Sequence, residues 1–193
     1  MLKIIKLIEK QVRNFKIPWV TVESKSKEPY RVLISCILSL RTKDKITAEA
    51  SKRLLKLANS PQKIIKLSAT RIQKLIYPVG FYRNKAKVIL GISRRILDEF
   101  RGRVPNNLED LLKFKGVGRK TANLVLGLGY KIPAICVDTH VHRISNRLGW
   151  VKTKDPHVTE EALQKIIPRN YWIKLNTVLV AFGQNLCVPI SPF

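Results

Sequence analysis

Apolar residues recur at three- and four-residue spacing along almost the whole chain. Leu2, Ile5, Ile8 and Val12 form one stripe, with lysines between them. That spacing predicts an amphipathic helix. The segment lacks the uninterrupted apolar core and cleavage site of a signal peptide. A polar linker follows and ends near Pro29. The apolar-rich run Val32 to Leu40 is interrupted by Ser35 and Ser39. It is far shorter than the roughly 20 residues that span a bilayer, so it predicts a buried helix. Punctuation then recurs every few residues. Ser60-Pro61 and Ser68 read as helix starts. Pro78 and Gly80 break the chain before a long helix from about Arg83 to Phe100, and Gly102 and Pro105 end it. Asn107 is placed to cap a helix running to Phe114. Gly116 and Gly118 mark a tight turn, after which a helix resumes through Leu128. Gly129 and Pro133 enclose a loop. Thr139 to Leu148 reads as helix, ended by Gly149. Asp155-Pro156 starts another, and Pro168 precedes the last, Tyr171 to Leu186. No strand run and no internal repeat breaks the pattern. The expected fold is all-α, with many short helices and short turns.

A chain of 193 residues suits one domain or two small lobes, and 45% hydrophobic content supports a sizeable core. Charge adds more. Lys plus Arg number 37 against 13 Asp plus Glu, a net charge of +24. From Ala50 to Leu97 there is no acid. The same stretch holds Lys52, Arg53, Lys56, Lys63, Lys66, Arg71, Lys74, Arg83, Lys85, Lys87, Arg94 and Arg95. Such an excess needs a polyanionic partner, and nucleic acid comes first. An anionic membrane surface or an acidic protein are the alternatives. A solvated ion-pair surface of the heat-adapted kind would need matching Glu, which this chain lacks. Cys36, Cys136 and Cys187 are far apart, odd in number and form no CxxC pair. They imply no disulfide framework and fit a reducing, intracellular setting. Cys36 and Cys136 sit in apolar runs as small core residues.

Chemistry concentrates after Leu111. The stretch Leu111 to Asn123 places Gly116, Val117 and Gly118 between two helical segments. This is a helix-hairpin-helix pattern. Two glycines allow a tight turn with no Cβ in the way. The turn then offers backbone N–H groups, at the positive end of a helix dipole, to a phosphate. Lys115 and Arg119 add charge beside them. A GxG turn by itself is more often only a turn; Leu112, Phe114 and the small Ala122 favour the DNA-binding reading. Lys120 stands two residues past Gly118. A surface lysine is ordinarily a solvated charge, but Asp138 stands after the Gly/Pro loop, in Ala134 to Arg143. A lone carboxylate there caps a helix, serves chemistry, or does both.

These stretches resemble the endonuclease III family, within the helix-hairpin-helix DNA glycosylases that carry a Gly/Pro loop and an Asp. The matching elements are LxxxxGVGRKTAN from Leu111, the Gly/Pro loop, and VDTHVxR from Val137, with the Lys-to-Asp spacing. Leu38 to Asp44 resembles that family's LSxQTxD segment, and Val79 to Ala86 its GLYxxKA segment. The resemblance covers nearly the whole chain. It implies two helical lobes: a six-helix barrel over 23–130, and a second domain from 1–22 with 131–193. DNA would bind in a cleft between them, with Lys120 and Asp138 facing each other and the damaged base flipped out. Three departures stand out. Arg41 replaces the usual Gln at a position that fills the gap or touches the opposite strand. Phe81 replaces Leu and is either a wedge that props open the base step or an ordinary core aromatic. The usual four-cysteine loop for a [4Fe–4S] cluster is represented by Cys187 alone; one cysteine cannot hold a cluster, which would require a chain extending past Phe193.

The implied activity is that of a bifunctional DNA glycosylase and apurinic/apyrimidinic lyase acting on oxidised pyrimidines in duplex DNA. An unperturbed lysine has a pKa of about 10.4, so a nucleophilic Lys120 requires a site that supplies it neutral. Attack on C1′ yields a Schiff base, with Asp138 taking a proton or stabilising positive charge. Ser39 and Asp44 are expected at the pocket, with His140. His140 and Arg143 are expected to anchor the helix after Asp138 or, alternatively, to touch a phosphate, and Lys85 is expected at a phosphate. A monomer working on DNA inside the cell, without a membrane partner, is expected. The alternatives are a glycosylase/lyase for another lesion, such as an oxidised purine or a mismatch, and a non-catalytic DNA-binding module.

Overall fold

The structure, a computed structural model, describes residues 1–190. Twelve α-helices follow in order among them. They are α1 (Leu2–Val12), α2 (Trp19–Glu23), α3 (Pro29–Ser39), α4 (Asp44–Leu57), α5 (Pro61–Ile64) and α6 (Ala69–Ile76). Then come α7 (Tyr82–Phe100), α8 (Leu108–Leu112), α9 (Arg119–Leu124), α10 (Thr139–Arg147), α11 (Pro156–Ile166) and α12 (Trp172–Asn185). A π turn, Val125–Gly129, continues α9. No strand occurs among the described residues, and no helix there is long and apolar enough to cross a membrane.

The capping residues act as their positions predict. Ser60 and Ser68 accept from the amides of Lys63 and Arg71, and Asn107 from that of Asp110. Asp155 accepts from His157 and Val158. Each satisfies donors that a helix start would otherwise leave orphaned, worth about 1 kcal/mol apiece. Three elements depart from expectation. The linker before Pro29 contains α2, a five-residue helix tied from outside: the Trp19 N–H donates to Asp44 Oδ1 at 2.8 Å. The fourteen-residue α4 buries Thr47, Ala50 and Ser51 beside Leu54 and Leu55, so its inner face carries little apolar signal. Finally, α8 ends at Leu112 rather than Phe114. Phe114 leaves the helix to bury its ring edge-on against Phe100, centroids 5.5 Å apart.

The chain divides into two compact units. Met1–Pro18 joins the chain from Lys131 onward, and Trp19–Tyr130 forms the other. The break precedes α2 rather than Glu23, because α2 packs on α3 and α4. In the first unit, Ile5 and Ile8 of α1 meet Ile135 and Val137, Val141 and Ile144 of α10, Leu163 of α11, and Leu175 and Leu179 of α12. In the second, α3 is central. Val32 to Leu38 are all buried, and α3 touches α4, α7 and α9 with its π turn. Tyr30, at its start, shares a 2.7 Å hydrogen bond with Ser93 of α7.

Candidate functional site

The turn between α8 and α9 is built around Gly116. Its φ is +83°, where a side chain is strained, and a Cβ there would lie 3.2 Å from Val88 Cγ1 of α7. Val117 is buried and its N–H donates to Phe114 O at 3.0 Å, which closes the turn. Gly118 is extended at φ −97°, with open space where a Cβ would stand. It begins α9 without a side chain of its own over the first amides. Lys115 is exposed and Arg119 half-buried on either side. Between this hairpin and α7 lies a concavity of ≈ 750 Å³, with Lys87, Arg94, Arg95, Lys113 and Lys115 on its walls. Arg95 is paired with Glu99 and Lys113 with Asp110. Among the described residues no ion pair holds Lys87, Arg94 or Lys115, so the concavity is cationic.

Lys120, exposed on the second position of α9, opens onto a neighbouring concavity of ≈ 520 Å³. Ser39, Arg41, Phe81, Asn84, Lys85 and Val88 line it with Lys120. Ser39 Oγ donates to Cys36 O at 2.8 Å. Beneath, burial pushes the Cys36 thiol up to about 12, against the pull of Lys120. Cys36 therefore stays protonated at neutral pH and is no rival nucleophile. Asn84 and Val88 were not singled out from sequence. They stand three and seven residues after Phe81, the spacing of one helix face, which was the available signal.

Phe81 does not belong to the core. It is 63% exposed, with φ 58°, at the start of α7. Arg41, also exposed and at φ 50°, places its guanidinium 5.7 Å from the Phe81 ring centroid. The two left-handed residues come from adjacent turns that approach closely: a Cβ on Gly80 would fall 2.5 Å from Arg41 O. Lys85 corrects the expectation of a phosphate contact. It is only 6% exposed, and its ammonium donates to Leu38 O, Leu40 O and Thr42 Oγ1, at 2.9, 2.5 and 3.2 Å. All three of its hydrogens are thus spent inside the chain.

In the other unit, Asp138 ends the extended segment after Lys131 and caps α10. Its Oδ1 accepts from the amides of His140 and Val141, at 3.0 and 2.9 Å, and the residue is 8% exposed. Arg143 anchors rather than reaching a phosphate. Its Nη2 donates to Gly183 O and Cys187 O, at 3.0 and 2.6 Å, and meets His140 Nδ1 at 3.2 Å. His140 joins this anchoring network through Arg143. Asp44 serves α2 and is absent from the lining of the Lys120 concavity. Cys187 is half-buried, with Arg147 Nη1 at 3.4 Å from its sulfur. A [4Fe–4S] cluster does not fit the residues described: no group of three His, Cys, Asp or Glu could hold a metal, and Cys36 and Cys136 are buried. Phe193, past which a cluster would require the chain to continue, lies outside the described residues.

Comparison with known proteins converges on one group. The family described as HhH-GPD superfamily base excision DNA repair protein matches residues 34–169. Endonuclease III of Thermotoga maritima is 52% identical over 168 residues, which cover 87% of this chain and 79% of that protein. Endonuclease III of Haemophilus influenzae is 35% identical, over 91% of this chain and 83% of its own. The chain spans a smaller part of some relatives, 45% of endonuclease III homolog 2 of Arabidopsis thaliana, with 44% identity over 84% of this chain. A non-covalent endonuclease III–DNA complex superposes with a TM-score of 0.88 at 32% identity, covering 98% of this chain and 87% of that one. A trapped endonuclease III–DNA covalent intermediate gives 0.85 at 31%, covering 97% and 86%.

Proposed function

Because the chain belongs to the endonuclease III family of the HhH-GPD superfamily of base excision DNA repair proteins, we infer that it is a DNA glycosylase with apurinic/apyrimidinic lyase activity, acting on oxidised pyrimidines in duplex DNA. The observation that carries the reading is Lys120 at the mouth of a concavity, directly after a Gly-Val-Gly turn beside a cationic wall. In this reading the turn and the α7 face hold phosphates and fix register without reading sequence. Phe81 and Arg41 fill the step from which the damaged nucleotide has rotated. The Lys120 amine attacks C1′, and the base leaves with the electrons of the glycosidic bond. Asp138 takes the amine proton or stabilises the positive charge that develops on the sugar. Its two cap bonds hold the carboxylate in place. The covalent product opens to a Schiff base. Loss of a C2′ proton then expels the 3′ phosphate by β-elimination, cutting the strand 3′ to the lesion. The reading requires Lys120 and Asp138 to serve the same nucleotide, and takes the working form to be a monomer on DNA.

A panel of duplexes, each with one oxidised pyrimidine, tests this in the presence of borohydride. A covalent protein–DNA adduct is expected, and none with Lys120→Ala. An undiminished adduct in that variant moves the nucleophile elsewhere; no adduct with the unaltered protein removes the lyase.

A further inference from the structure

We propose that Lys85 is a positioning residue: by gripping the end of α3 and the turn after it, it holds Arg41 and Phe81 in the conformation that props open a base step. This rests on the reading of those two residues as the gap-filling pair.

The ammonium sits where α3 ends, a place that leaves carbonyls without helical partners. It takes Leu38 O and Leu40 O, one on each side of Ser39. Its third bond goes to Thr42 Oγ1. That hydroxyl also accepts from Gly80 N–H, at 3.1 Å, and donates to Leu40 O, at 3.2 Å. Lys85 and Thr42 therefore tie residues 38–42 to the turn before α7. Arg41 lies inside the first segment and Phe81 directly after Gly80. Both stand in the left-handed region, which a non-glycine residue holds only when its surroundings dictate it. Here the surroundings are this network and the close packing of Gly80 on Arg41 O.

Three oxygens around Nζ demand three hydrogens. A neutral amine has two, and its lone pair would face an acceptor. Burial pushes Lys85 down to about 8, so the grip weakens within an accessible pH range. The charged side chains that share its concavity are Arg41, from the α3–α4 turn, and Lys120, from α9; no acid lines it. The stability sign runs the other way. The unfolded chain keeps this proton to higher pH, so folded-state stability from this group rises between about 8 and the ordinary lysine range. Loss of this proton therefore does not by itself destabilise the fold across that window.

The test measures base release from an oxidised thymine, paired in a duplex and, separately, in a short bubble. The ratio of the two rates cancels steps common to both, including the chemistry at Lys120. Lys85→Met should lower the paired-to-bubble ratio about tenfold, as Phe81→Ala should, with little further loss in the double variant. The ratio of the unaltered protein should fall as pH rises through about 8, and this measurement decides the matter if Lys85→Met does not fold. Equal slowing on both substrates, or a ratio constant through that pH range, overturns the proposal. If Phe81→Ala lowers the ratio and Lys85→Met does not, only the role of Lys85 falls. If Phe81→Ala leaves the ratio unchanged, the gap-filling reading fails and takes this proposal with it.

Discussion

Replacing Asp138 by Asn separates two duties carried by one carboxylate. Asn ranks with Asp at a helix N-cap, so the bonds to the His140 and Val141 amides survive in Asp138→Asn. Stability should change by less than about 0.5 kcal/mol, while single-turnover base release falls roughly a hundredfold or more and DNA affinity holds. Asp138→Ala should lose a similar factor in rate and about 1 kcal/mol of stability besides. Thermal unfolding alongside the kinetics checks both; parallel loss of binding and rate in the Asn variant would leave Asp138 only a cap. Phe81→Ala is a second contrast. A ring 63% exposed should cost no more than about 0.5 kcal/mol, where a buried one such as Phe114 should cost about 3–5. At this scale the sequence was legible where a side chain acts on its own neighbours. Asp138 reads as a cap because the amides that donate to it are two and three residues away. Lys85 does not reveal its role, since a basic side chain looks the same whether it turns to solvent or to a carbonyl over forty residues distant in the chain.

The hairpin between α8 and α9 shows how one element uses two glycines for different reasons. Gly116→Ala should destabilise by about 1–2 kcal/mol, because the residue holds φ +83° and its new methyl presses on Val88. Gly118→Ala should leave stability nearly untouched, since φ is −97° and the space is open. It would, however, place a methyl before the first amides of α9 and weaken binding to any duplex. Measured melting temperatures and dissociation constants for the two variants should thus diverge; equal affinity for Gly118→Ala would exclude phosphate contact at that turn. Elements with local signals were readable in advance: Ser60, Ser68, Asn107 and Asp155 each announce a helix. The helix α2 was not, since its first amide is satisfied by Asp44, twenty-five positions away. Nor was α4, whose buried face is partly Thr, Ala and Ser. The Lys120 concavity was half legible. Ser39, Arg41, Phe81, Lys85 and Lys120 carried motif signals, whereas Asn84 and Val88 entered through the register of α7.

Charge belongs to the whole chain. Acids number 13 against 37 bases, and the described ion pairs engage Arg31, Arg95, Lys113 and Lys174 without approaching neutrality. A surplus of this size is repulsive in the folded state and becomes favourable only when counterions on a polyanion are displaced. If the hairpin and the α7 wall engage roughly four to six phosphates, log K against log salt should have a slope of roughly −4 to −5. The burial of Lys85 decides which charges to reverse. Lys85→Glu would put a carboxylate against the carbonyls of Leu38 and Leu40, and any loss of binding would report misfolding. Lys87 and Lys115 face the ≈ 750 Å³ concavity and carry no ion pair among the described residues. In Lys87→Glu with Lys115→Glu the slope should become shallower by about 2 units, with equal loss on damaged and undamaged duplexes, because phosphate contacts position without selecting. The rate at saturating DNA should stay within a few-fold of the unaltered protein, since neither residue lines the Lys120 concavity. Salt titrations on both duplexes test the point. A slope that does not move, or a loss confined to damaged DNA, would mean that the backbone runs elsewhere and that the α7 wall serves the lesion instead.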